Sequence, residues 1–411
     1  MQAAETTTHF RTANKVHKQI HLRRRVPAPC KTPAKALPVG AQAVDTDHIT
    51  SDEDREQGRQ YRRVVFDQKR WEQHRSIQRY AWHMSGILTS RIARGLFGPM
   101  SYVASICFGV CLYHSLLEYN ILQQWVAPDL DWPTINLNSS GIFSISTFAL
   151  SLLLVFRTNS SYERWWEARD CWRMIVNECT HLARQTEQWL PGPASEPVRS
   201  ALLRWLHVFP ISLMVHLRGH EEDLRQEVQG LLPPDELELL LRAQNPPLLV
   251  LSAIGQIMAV SEMRIESKTH MDESVRVLQE SLGSCEKLLT TPIPLSYTRH
   301  TGRFLVLWLT CLPFVIWQEL GWLSVPISMV VSFLLFGIEE IGVQIEEPFG
   351  ILALESYCDE VKAGINQTTA DANALLPITL KLTGGKLCEL CLALPCLCFE
   401  RGRFDFGKIS S

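Results

Sequence analysis

Charged and aromatic side chains gather in three stretches of the sequence, and each could carry chemistry. The first is Arg157 to Trp172, RTNSSYERWWEARDCW. Arg164 and Glu167 stand three apart, as do Asp170 and Arg173, so each can pair on a helix surface. Trp165, Arg169 and Trp172 share one helical face, which suits a guanidinium stacked among indoles. The second stretch is Thr291 to Trp308, TPIPLSYTRHTGRFLVLW. Its two prolines set an extended turn ahead of Tyr297, Arg299, His300 and Arg303. The third is Phe336 to Gly350, FGIEEIGVQIEEPFG, where Pro348 ends a helix carrying Glu339, Glu340, Glu346 and Glu347. Those carboxylates could form a cation site, a general acid/base pair or ion-pair partners for the arginine cluster of the second stretch. Glu339 and Glu340 are adjacent and point to different helix faces, which disfavours a shared catalytic pair.

A fourth cluster, Cys388, Cys391, Cys396 and Cys398, could offer thiolates to a soft metal or take an acyl chain. Its spacing matches no standard zinc knuckle, and leucines surround it, so an apolar tail is the competing reading. The histidines never take metal-ligand spacing with Glu or Cys. The sequence carries no P-loop, hydrolase elbow, dinucleotide fingerprint or HExxH. An enzyme reading has little to stand on.

Four apolar blocks must position these stretches. They run over about 97–122, 139–157, 303–323 and 325–346. Crossing ~30 Å of hydrocarbon takes about 20 helical residues. The alternative is a set of buried helices in a large soluble protein. Two hairpin-like pairs of near-spanning blocks favour the bilayer, as do Trp125, Trp132, Trp308, Trp317 and Trp322 near their ends. The acids inside the blocks must then face the bundle interior, a partner subunit or water. Between the pairs, Ala201–Leu217, Leu237–Arg242, Leu248–Val260 and Met271–Leu289 read as helices, the middle two separated by Pro246 and Pro247. No useful strand alternation occurs. The fold class is an all-α membrane protein: four transmembrane helices in two pairs plus a helical extramembrane body.

The second block is rich in small residues: Ser144, Ser146, Thr147, Ala149 and Ser151. Small residues let helices pack closely in lipid, and they suit a helix that meets its own copies around an axis. One candidate lining face is Gly141, Ile145, Ala149 and Leu152; the competing face is Ser144, Thr147, Phe148 and Ser151. A narrow uncharged lining selects ions by their cost of dehydration. A tightly packed helix with no pore is the bland alternative. Arg157, at the membrane boundary, could raise the local anion concentration.

Composition agrees once it is read in order. The chain has 411 residues, 46% hydrophobic and 20% charged, with a net charge of −3. These values exclude a collagen-like or wholly disordered chain and a small disulfide scaffold, and they argue against a nucleic-acid binder. The mean hydropathy of −0.01 averages apolar blocks against charged ones. Residues 1–44 carry eight Lys or Arg and a single acid, Glu5, with prolines but no apolar signal core. That pattern fits an organelle transit peptide, or else a basic disordered arm.

Three long motifs then resemble the bestrophin family, in its bacterial and plant branch: FRTNSSYERWWEARDCW with the nearby LARQ, CEKLLTTPIPLSYTRHTGRFLVLW, and IEEIGVQIEEPFGILALE. They stand in the family's order and cover roughly residues 80–366. The nearest likeness is to thylakoid voltage-dependent chloride channels and their algal relatives. The resemblance implies a homopentameric anion channel in a lipid bilayer, with the second membrane helix as its neck. Sliding the family motif back from Arg157 and Tyr162 puts the neck rings at Gly141, Ile145 and Ala149. The same exercise from Tyr297 puts a lower constriction near Glu266 and Ile265. Animal members are bulkier at the neck rings, so this neck is expected to be wider. Calcium-gated members follow Asn-Pro-Phe-Gly with a run of acids. Here Glu347-Pro348-Phe349-Gly350 is followed by Ile351, Leu352, Ala353 and Leu354, so no calcium clasp and no cofactor are expected. Voltage gating is the expectation.

The implied organisation is a transit peptide (1–44), a polar pre-segment (45–79), the channel domain (80–370) and a Cys-rich tail (371–411). The implied role is passive conduction of chloride or other monovalent anions such as nitrate across the thylakoid membrane, balancing proton entry. One alternative is a bicarbonate channel supplying the lumen. The other is a non-conducting membrane scaffold that recruits partners through the tail and body.

Overall fold

The computed structural model describes residues 65–85, 94–119, 133, 140–219 and 223–382, and the described residues contain helices but no strands. In chain order they are α1 (Gln68–Arg75), α2 (Arg79–Ser85), α3 (Phe97–Glu118), α4 (Ser140–Trp189), α5 (Glu196–Arg218), α6 (Leu224–Val228), α7 (Pro234–Leu241), α8 (Pro246–Val260), α9 (Ile265–Thr290), α10 (Leu295–Leu320), α11 (Ser324–Glu346) and α12 (Leu354–Leu382). The residues expected to form a transit peptide, Trp125, Trp132 and the four tail cysteines lie outside the described residues.

The four apolar blocks become α3, the first part of α4, α10 and α11. The second block does not stop at the membrane boundary. After Gly141 the sequence holds no glycine or proline until Pro191, so nothing breaks the helix, and α4 runs 50 residues. At 1.5 Å per residue it is a rod of roughly 75 Å. Its first third packs in the membrane bundle and its remainder in the body.

Two cores follow from this division. The membrane core joins Val103 of α3, Leu150 and Leu154 of α4, Leu305, Trp308, Leu309 and Leu312 of α10 and Phe336 of α11. On α11, Ser324, Ser328, Ser332 and Phe336 recur every fourth residue and are all buried. The serines let α3 approach closely, and Ser328 meets Cys107 at 3.6 Å. The turn between α10 and α11 depends on Gly321, whose φ of 52° and ψ of −133° are open essentially to glycine alone.

The body core gathers Trp172, Ile175 and Leu182 of α4 with Phe209 and Leu213 of α5, Ile254 of α8, Leu278 of α9 and Val361 of α12. Each large apolar side chain buried there contributes about 1.5–3 kcal/mol. α5 is long and apolar enough to cross a membrane, yet 61% of its apolar window is buried within the protein. It is a central helix of the body, as its interruption by Arg204, His207 and Pro210 suggests. Pro246 and Pro247 do more than separate two helices. They occupy the first turn of α8, where no N–H is needed, and the Asn245 side chain caps the Leu248 N–H at 3.1 Å.

α12 crosses the boundary expected at residue 370 without a break and reaches Leu382. It lies against α4 so closely that a Cβ on Gly364 would come within 2.8 Å of Thr180 Oγ1. Gly364→Leu should therefore lower stability by roughly 1–3 kcal/mol through overpacking. Adding Thr180→Ala should recover part of that loss, as read by thermal unfolding in detergent.

Candidate functional site

The three polar stretches converge on one junction between the bundle and the body. Arg164 projects from α4 to where α9 and α11 both end. Its Nε donates to the Glu346 carbonyl at 3.1 Å, its Nη1 to Thr291 at 2.6 Å and its Nη2 to Leu288 at 2.7 Å. These are the carbonyls that a helix C-terminus leaves without intrahelical partners, at the negative end of the helix dipole. One guanidinium thus caps two helices. The Glu346 carboxylate accepts the Ile293 N–H at 3.1 Å, which pins the proline turn before α10 to the end of α11. Tyr297 donates its hydroxyl to the Leu153 carbonyl at 3.2 Å.

This arrangement corrects one expected pairing. Arg164 does not pair with Glu167; its guanidinium goes to backbone carbonyls, and Glu167 takes Lys287 of α9 at 2.6 Å. Asp170 and Arg173 do pair as spaced, at 3.0 Å. Arg169 stacks on Tyr357 of α12, 4.5 Å from its ring centroid, rather than among indoles. Sequence spacing within one helix could not show Tyr357 because it lies on another element.

Two turns nearer the bundle from Arg164, Arg157 pairs with Glu339 of α11. Arg157 is 1% exposed and Glu339 17%. One of the three readings of the α11 carboxylates paired them with the arginines of the second stretch, Arg299 and Arg303. Instead those two arginines and His300 are exposed, and Arg157 takes the charge of Glu339. Arg157 is therefore not an open attractor of anions. It is a buried partner that lets an acid sit within an apolar helix. Glu340 points elsewhere and accepts from Gln344 at 2.7 Å. Sequence analysis also missed Arg218, which grips Glu355 through both oxygens at 2.5 and 2.9 Å and so holds the start of α12.

Above the junction, α4 has two sides. Leu150, Leu154 and Arg157 face the bundle and are buried. Gly141, Ile145, Ala149 and Leu152 are exposed in the single chain, Ile145 at 73%. Ser144, Phe148 and Ser151 of the competing face are exposed as well, and Thr147 is half-buried. Three hydroxyls of this segment are tied to the helix backbone. Ser146 and Thr147 both donate to the Phe143 carbonyl at 2.7 Å, and Ser151 donates to Thr147 at 2.9 Å. The outward surface is uncharged, and Ser146, Thr147 and Ser151 donate to their own helix. At the far end of the body, Ile265 and Glu266 open α9; Ile265 is 72% exposed. The 26 residues of α9 place them roughly 39 Å from its junction end. The metal candidates Cys388, Cys391, Cys396 and Cys398 lie outside the described residues, and no cluster of metal-binding side chains occurs among the described ones.

An uncharged helix face above a buried ion pair, in a bundle that shares its longest helix with a helical body, defines a polytopic all-α membrane protein. Comparison with known proteins narrows this. The family described as Bacterial/Fungal Bestrophin protein matches residues 70–367. "Voltage-dependent chloride channel 1, chloroplastic" of Arabidopsis thaliana is 35% identical over 322 residues, covering 77% of this chain and 76% of that protein. A voltage-dependent anion channel-forming protein of Nostoc is 36% identical over 238 residues, 55% of this chain and 76% of that one. The crystal structure of a bacterial bestrophin homologue from Klebsiella pneumoniae shares the fold, with a TM-score of 0.57 at 24% identity, over 67% of this chain and 98% of that one. The chain belongs to the bestrophin family.

The buried pair makes a prediction. Glu339→Leu removes the paired carboxylate from buried Arg157 and should cost about 3–5 kcal/mol. The double replacement Arg157→Met with Glu339→Leu should cost less than either single one. Thermal unfolding of the four proteins measures the coupling.

Proposed function

We propose that this chain is the subunit of a homopentameric channel that conducts chloride and other monovalent anions passively across a chloroplast membrane, the thylakoid membrane in particular. The observation that carries the reading is the exposed, uncharged face of α4, beside which Ser146, Thr147 and Ser151 donate to carbonyls of their own helix. Such a face has no reason to be exposed in a single chain unless copies or lipid meet it. The names of the chloroplastic and bacterial relatives as voltage-dependent chloride or anion channels support the choice of ion, compartment and gating.

In this reading Gly141, Ile145 and Ala149 form successive neck rings. A lining of methyl and methylene groups offers an anion nothing in exchange for its water, so weakly hydrated anions pass most easily. Ile265 and Glu266, at the far end of α9, form the lower constriction. Positive potential for anions comes from exposed Arg299 and Arg303 near the boundary, since Arg157 is neutralised. No catalytic step and no calcium clasp enter this mechanism. Glu355, one of the few oxygens after the Pro348 turn, is held by Arg218.

Purified protein in planar bilayers tests the reading. The expected outcome is a voltage-dependent current that reverses at the chloride equilibrium potential. Ile145→Ala should bring the nitrate-to-chloride permeability ratio closer to one, because a wider ring demands less dehydration. An absence of anion current at every voltage would reject the channel. An unchanged ratio in the variant would reject Ile145 as pore-lining. The bicarbonate-to-chloride ratio of the same current decides which anion it favours.

A further inference from the structure

Cys171 lies on the body half of α4 and Cys285 on α9. The two helices run antiparallel below the junction, and their register is fixed at both ends. Arg164 reaches Leu288 and Glu167 reaches Lys287 near the membrane, while the rings of Trp189 and His270 lie 6.3 Å apart at the far end. One turn along α4 from Glu167 is Cys171. Two residues back from Lys287 is Cys285. The register therefore sets the two thiols opposite each other across the interface, Cys285 within the body core and Cys171 packed against it. Their neighbours on the same faces, Ala168 and Ser281, are small and buried, so the backbones can approach closely.

The two thiols are not equivalent. Cys285 is fully buried, whereas Cys171 is half-buried at the rim of the core. Interaction with Cys285 pulls the Cys171 thiol below its ordinary range against burial, Glu167 and Asp170, with a smaller contribution from Lys287 in the same direction. That same contact, with burial, pushes Cys285 well up. The pair therefore has an accessible attacking sulfur backed by a sheltered resolving one. Cys179 and Cys358 differ: burial pushes both thiols up, and nearby Arg218 does not offset it at Cys358.

We infer that Cys171 and Cys285 form a redox-active dithiol that a low-molecular-weight disulfide converts into a bridge between α4 and α9. The Cys171 thiolate attacks the oxidant's disulfide, forming a mixed disulfide and releasing one thiolate. Cys285, after losing its proton to solvent or to that thiolate, attacks the Cys171 sulfur. The protein disulfide forms and the second thiolate leaves. Two protein thiols are oxidised and one small disulfide is reduced to two thiols. The bridge ties α9 to the rod at a fixed register, and with it the position of Ile265 at the far end.

The test uses the full chain in detergent, equilibrated with increasing ratios of oxidised to reduced glutathione, quenched with acid, alkylated, digested and analysed by mass spectrometry. A peptide linking Cys171 to Cys285 should appear as the ratio rises and vanish with dithiothreitol. It should be absent in Cys171→Ser, whose rim position tolerates the change, and unaffected in Cys179→Ser. Oxidation should raise the thermal midpoint of the wild type and of Cys179→Ser by several degrees, and leave Cys171→Ser unmoved. Full alkylation of both cysteines at every ratio would overturn the inference. So would glutathione held on Cys171 with no linked peptide.

Discussion

Most of this structure hangs on one arginine. Arg164 satisfies three backbone carbonyls that belong to the ends of α9 and α11. Those ends arise where prolines forbid further helix, at Pro292 and Pro348, so each would otherwise present orphan acceptors in a partly buried place. A planar guanidinium with five donors can meet three separate carbonyls at once; a lysine ammonium on a flexible stem cannot hold that geometry. The capping also decides topology. It brings the last turn of a membrane helix and the last turn of a body helix to the same point on α4. The membrane and body cores are therefore joined through a hydrogen-bonded node rather than by apolar contact alone.

Arg157 and Glu339 meet a different demand two turns away. A carboxylate in an apolar helix is costly unless its charge is matched, and so is a buried guanidinium. Each makes the other tolerable. The pair also orients α4, because it fixes which side of the rod faces the bundle. The opposite side, with Gly141, Ile145 and Ala149, is then turned outward. The outward face needs no charge of its own, and Ser146, Thr147 and Ser151 give their hydroxyl protons to the helix that carries them.

Much of this was legible in the residues. Apolar blocks of near-spanning length marked all four membrane helices, and the proline turns marked where α10 had to begin and α11 had to end. The continuity of α4 was also written there, in the absence of glycine and proline from 142 to 190, although a hydropathy reading ends the segment at Phe156. What escaped were contacts between distant elements. Spacing offered Glu167 to Arg164, and the arginines of α10 to the carboxylates of α11. The real acceptors of Arg164 are carbonyls, which every residue has and no sequence singles out. The partner of Glu339 lies on a helix whose facing side only the packed bundle defines. Arg169 and Tyr357, and Arg218 and Glu355, were hidden for the same reason. The neck stripe was narrowed to two faces, and both point outward in the single chain.

The unbroken rod has a mechanical consequence. Arg157 and Arg164 clamp α4 about a third of the way along, with roughly 24 Å of helix on one side of Arg157 and roughly 48 Å on the other. A stiff beam held there behaves as a lever of unequal arms. Any tilt that moves the Gly141 tip by one unit swings the Trp189 tip by about two in the opposite direction, with no hinge to absorb the motion. A small displacement imposed on the body is thereby halved and reversed when it reaches the bundle, and a disturbance of the bundle is doubled in the body.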